Sequence, residues 1–163
     1  GTYANTEYAA GWGGRKSNGT NGWSARTTFA PNLSTLSNTP ERVPIGTYLY
    51  HANMAGIYGD TFYWSKSETS VLQKNKWYSI EQYIKLNSPG KSNGELAAWV
   101  NGLLVFSKKN IRFTDNTELG IESIWLNIYH GGKLPAQNNM SVLIDNLVLA
   151  KTYIGSRISP HVK

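Results

Sequence analysis

Leu96-Ala97-Ala98-Trp99-Val100-Asn101-Gly102-Leu103-Leu104-Val105-Phe106 is the segment whose reading decides the fold class. Two apolar runs of strand-forming residues flank an Asn-Gly centre. A two-residue type I′ hairpin needs positive φ at both central positions, and Asn-Gly takes that conformation at little steric cost. The segment predicts an antiparallel hairpin turning at Asn101-Gly102.

Outward from this hairpin the same grammar repeats. Trp23 to Phe29, Thr47 to His51, Thr61 to Ser65, Trp77 to Leu86, Glu122 to Tyr129 and Ser141 to Ala150 read as further strands, separated by turn clusters such as Asn87-Ser88-Pro89-Gly90. A long loop is expected from Pro31 to Pro44, which carries three prolines, and the Gly- and Asn-rich residues 1 to 22 read as loop. No segment shows a helical period. About eight short strands predict an all-β protein, a β-jelly roll or β-sandwich of two antiparallel sheets. Its 163 residues suffice for one core, so residues 1–163 are expected to form a single domain.

Composition narrows the partner. Sixteen Lys and Arg against ten Asp and Glu give a net charge of +6, a field that attracts polyanions. The basic residues are scattered, with no run beyond Lys108-Lys109 and no groove-reading motif, so nucleic acid is not the expected polyanion. No apolar run approaches the roughly 20 residues of a membrane-spanning helix, and no membrane partner is expected. The absence of cysteine removes disulfides, thiolate ligands and thiol nucleophiles. Asp60, Asp115 and Asp145 are too far apart in sequence for a calcium loop, so neither a metal nor another cofactor is expected.

Side chains at i and i+2 of a strand share a face. Ser24 and Arg26 therefore project together, as do Tyr48 and Tyr50. If the two strands are neighbours, a guanidinium, a hydroxyl and two phenols converge, a set suited to a sugar carboxylate. An ordinary solvent-facing sheet surface has the same alternation. Trp12, Trp23 and Trp64 lie near loops where they could stack on sugar rings, whereas Trp99 and Trp125 are expected in the core.

The string Asn21-Gly22-Trp23-Ser24-Ala25-Arg26, followed by Tyr48-Leu49-Tyr50-His51 and Trp77-Tyr78-Ser79-Ile80-Glu81-Gln82-Tyr83-Ile84-Lys85-Leu86-Asn87, resembles the polysaccharide lyases of family 14. Alginate lyases and glucuronan lyases are among that family's members. Asn93-Gly94-Glu95-Leu96, Ile128-Tyr129-His130-Gly131-Gly132 and Ile144-Asp145-Asn146-Leu147-Val148 continue the likeness in order, so that it covers roughly residues 11 to 155. It implies a jelly roll with a cleft that binds an acidic polysaccharide and cleaves it by β-elimination, in a monomer working outside the cell or in a virus. On that likeness Arg26 neutralises the uronate carboxylate, Tyr50 is the base, and Ser24 and Tyr48 orient the sugar. Gln82, His130, Lys85 and Trp23 are the expected substrate contacts, although Gln82 and Lys85 point to opposite faces of their strand. His51 is expected to pack, and His161 to lie in the tail.

One family element is out of place. The Gly-Gly-Lys-Leu-Pro segment that precedes Ser-x-Arg in the family has no counterpart before Ser24, and Gly131-Gly132-Lys133-Leu134-Pro135 occurs too late in the order to be that element. The chain is then the later part of a longer lyase that lacks its N-terminal strands, or has lost the element, or uses Lys16 or another base in its place. The competing expectation is a non-catalytic carbohydrate-binding module on the same jelly roll.

Overall fold

The computed structural model describes residues 10–29, 42–64, 71–133, 135–136 and 139–156. Among these residues the regular elements are all strands: β1 (Ser24–Phe29), β2 (Arg42–Tyr50), β3 (Asp60–Tyr63), β4 (Val71–Gln73), β5 (Ile80–Lys85), β6 (Gly94–Val100) and β7 (Leu103–Ile111). They form two antiparallel sheets. In the first, β2 lies between β1 and β3 and also pairs with β4; in the second, the order is β5-β6-β7.

The hairpin forms as its sequence requires. Val100 pairs with Leu103, and Asn101 and Gly102 have φ of 52° and 80°. Asn101 also exchanges backbone and side-chain hydrogen bonds with Ser79, fastening the start of β5 to the turn.

The sheets pack as a sandwich. One apolar cluster joins Trp23 and Leu49 to Leu96, Ile111, Phe113 and Leu119, and a second joins Ile45 and Trp64 to Ala98 and Val100. Each cluster draws on both sheets. Burying a Leu or Ile side chain stabilises the fold by roughly 1.5–3 kcal/mol, so these contacts are the main force holding the layers together. Inside the sandwich, the Trp64 indole donates to Thr47 Oγ1 at 2.8 Å, which satisfies two buried polar groups at once.

Three expectations change. Strand β2 begins at Arg42 and includes Pro44, where loop was expected. Pro44 lies opposite Val71 of β4, one residue before the Phe29↔Ile45 pair of the β1 register. The rest of the expected loop, residues 31–41, lies outside the described residues, as does Ser65 at the end of the third expected strand.

The other two changes concern the C-terminal third. Glu122–Tyr129 and Ser141–Ala150 form no strand, and their large apolar side chains are exposed, with Trp125 at 81% and Leu143 at 75%. Alternation shows which face of a strand could be buried, but a strand also needs a neighbour's N–H and C=O groups, and no described strand pairs with these segments. Trp125 is consequently not a core residue. Trp99 is half-buried on the outer face of the second sheet, against Tyr153, with ring centroids 4.9 Å apart.

Candidate functional site

The register of β1 and β2 builds the site. Ser24 lies opposite Tyr50 and Arg26 opposite Tyr48, so all four side chains leave the same face. Their neighbours Ala25 and Leu49 turn inward to the core. The four are therefore on the outer face of the first sheet.

The two phenols meet directly. Their hydroxyl oxygens are 3.2 Å apart, and the rings are edge to face with centroids at 5.3 Å. The Arg26 guanidinium carbon lies 5.6 Å from the Tyr50 ring centroid, a cation–π arrangement. Arg26 also donates through Nη2 to the Gly11 carbonyl at 2.9 Å, and the Ser24 hydroxyl donates to the same oxygen.

Two loops close over the phenols. In the first, Gly14 N–H donates to the Tyr50 hydroxyl at 3.1 Å. In the second, which joins β2 to β3, Gly59 N–H donates to the Tyr48 hydroxyl at 3.0 Å. The first loop is tied down at several points. Ala10 N–H donates to the Asn21 carbonyl, and Asp115 N–H and Thr114 Oγ1 both donate to the Gly19 carbonyl. As a result Tyr50 is fully buried and Tyr48 only partly so. Burial pushes the Tyr48 phenol up to about 12, the adjacent Tyr50 adds to the rise, and the Gly59 amide and the Arg26 charge oppose it. Tyr48 therefore carries its proton at neutral pH.

The other expected contacts are dispersed. Trp23 is 4% exposed and packs edge to face on Phe113 at 5.2 Å, which places it in the core instead of on a sugar-stacking surface. Trp64 is likewise buried, whereas Trp12 is half-exposed beneath the Arg15 guanidinium, 4.4 Å from its ring centroid. Gln82 is on the inner face of β5, its Oε1 3.5 Å from Thr47 Oγ1 across the sandwich. Lys85 is on the outer face of the second sheet, paired with Glu95 at 2.9 Å. His130 is exposed in the strandless 121–130 segment. His51 packs as expected, its Nε2 2.7 Å from Asp60 Oδ2.

Sequence reading missed Gly11, Gly14 and Gly59. The Gly-rich string at 11–14 was the available signal, but it read only as loop. Among the described residues no cluster of three or more His, Asp or Glu side chains could hold a metal. A hollow of about 280 Å³ lined by Arg42, Gln73, Tyr78 and Asn101 shares no residue with the tyrosine patch.

The family model for polysaccharide lyase 14 matches residues 1–139. The chain belongs to polysaccharide lyase family 14. Among proteins of curated function no relative matches this family-14 chain. Two solved structures are similar to it. One is alginate lyase Aly36B, and the other is a variant of that enzyme, with a lysine and a tyrosine each changed to alanine, in complex with alginate tetrasaccharide. Each is 28% identical with a TM-score of 0.53, over 66% of this chain and 41% of the solved one. The chain thus spans about two fifths of the length of those lyases.

Proposed function

We propose that this family-14 chain cleaves an acidic polyuronate, alginate before glucuronan, by β-elimination on the outer face of the first sheet. The observation that carries the reading is the register that sets Arg26 and Ser24 directly opposite two phenols whose oxygens are 3.2 Å apart. The tyrosine and the alginate tetrasaccharide named for the Aly36B variant support a tyrosine-centred site and an alginate substrate.

The chemistry follows from the groups present. A uronate carboxylate resists loss of the proton on the adjacent carbon because negative charge accumulates there. The cation of Arg26 offsets that charge. Tyr50 was the expected base, but its full burial beneath Gly14 removes it from the surface, and the proton-transfer role passes to the half-exposed Tyr48. A phenol that keeps its proton at neutral pH can protonate the departing glycosidic oxygen, and its phenolate can collect the carbon acid's proton. Acting on a polymer too large to enter a cell, such an enzyme would work outside it.

Incubation with alginate or glucuronan should generate unsaturated uronate ends, read as rising ultraviolet absorbance. Arg26→Ala should reduce that rate by about 10²–10³-fold, as expected on removing one group that stabilises developing charge. Salt-sensitive retention on polyuronate columns without any absorbance rise would instead identify a carbohydrate-binding module.

A further inference from the structure

A phenol oxygen has one proton to donate and two lone pairs to accept with. Tyr50 accepts the Gly14 N–H, is fully buried, and among the described residues has one acceptor bonded to its oxygen, the Tyr48 hydroxyl. Leaving that proton unpaired in the interior would carry the desolvation penalty of a buried donor, so it lies between the two oxygens. Tyr48 then accepts from both Tyr50 and Gly59, and its own proton points out of the cluster.

We infer that the backbone amides of Gly59 and Gly14 are positioning groups for this pair, selecting Tyr48 as the member that exchanges a proton with substrate. The inference rests on the lyase reading above. In the step it serves, the Tyr48 proton moves to the glycosidic oxygen, which departs with the C–O electron pair. The C–H pair of the carbon beside the carboxylate becomes the new C=C bond, and the phenolate takes the released proton. Tyr48 ends as it began. During the step its oxygen is stabilised by the Gly59 N–H, a donor already in place before charge develops.

Both amides depend on glycine. A Cβ at Gly59 would lie 2.8 Å from the Leu49 carbonyl oxygen and 2.8 Å from Tyr50 Cδ2, so a larger residue would push the amide or the ring away. Gly14 has φ of 79°, a left-handed conformation that side-chain-bearing residues seldom adopt. The surrounding contacts hold these loops in register. The His51–Asp60 pair closes the base of the 51–60 turn, and Lys16 Nζ donates to the Ala55 carbonyl at 2.9 Å, joining the two loops.

Gly59→Ala could misfold for the steric reason just given. The test therefore exchanges Gly59 for glycolic acid, which turns the amide into an ester and deletes the donor without adding an atom to the site. A second label, 3,5-difluorotyrosine at position 48, lowers that phenol's titration from its value of about 12 and makes it visible to 19F NMR. Loss of the Gly59 N–H should raise the position-48 pKa by about one to two units, the worth of a hydrogen bond to a charged group. In the unlabelled protein, kcat on polyuronate should fall about tenfold or more with KM unchanged. A titration unmoved by the ester overturns the inference. A shifted titration in a protein that cleaves no polyuronate would keep the amide's role in setting the phenol and sink the lyase reading alone.

Discussion

The outer faces of the two sheets carry the same kinds of residue in opposite arrangements. On the second sheet, Lys85 pairs with Glu95, and the Glu81 carboxylate accepts the Ile154 and Gly155 amides while Trp99 packs against Tyr153. These three charges are matched locally or used to dock the chain. On the first sheet, Arg26 has no carboxylate partner among the described residues; its hydrogen bond goes to a backbone carbonyl, and it stands beside two phenols held by backbone amides. Net charge of +6 therefore says little about where a polyanion would bind. A cation that no described carboxylate neutralises, set among fixed donors, is a far more local signal.

The comparison can be broken most directly at Tyr48. Tyr48→Phe keeps the ring but removes the transferable proton, and should lower polyuronate cleavage by about 10²–10⁴-fold in the absorbance assay, with the fold intact by circular dichroism. A core substitution should behave in the reverse way: Leu96→Ala, in the layer shared by both faces, should cost about 2–5 kcal/mol of stability in a denaturant titration.

A smaller effect is expected at Asp115, whose carboxylate is held below its ordinary 3.8 by Arg112. A carboxyl with a depressed folded value stabilises the protein above its unfolded value, and this contribution fades as pH falls through the folded one. Melting temperatures of the natural chain and Asp115→Asn should therefore differ at pH 5 and above and converge below about pH 3.8. Smallest of all, Lys85→Ala should leave turnover and melting temperature unchanged, because an exposed pair of this kind adds little. A large loss of activity there would move the site to the second sheet.

Much of this contrast was legible before any coordinates. Asn101-Gly102 could be read because its constraint is local, two φ angles and nothing more. The convergence of Ser24, Arg26, Tyr48 and Tyr50 needed only the two-residue period and one strand pairing. The burial of Tyr50 was not legible, since it depends on Gly14 and Gly59, whose amides reach the phenols from loops far apart in the sequence. Lys85 and Gln82 illustrate a different limit: their opposite faces were read correctly, but which sheet would carry the arginine patch depends on topology. Residues 122–129 and 141–150 show the same limit in the backbone, for an alternating pattern names a face without naming a partner.

The Gly11 carbonyl has an effect on recognition beyond its bond lengths. By engaging one Arg26 amino group and the Ser24 hydroxyl before any ligand arrives, it restricts the rotamers of both side chains. A free arginine surrenders about 2 kcal/mol of rotamer entropy when it is immobilised. In this chain part of that loss already belongs to folding. An arriving carboxylate would meet a guanidinium whose remaining N–H groups are already aimed, so its affinity would depend on orientational order as much as on charge.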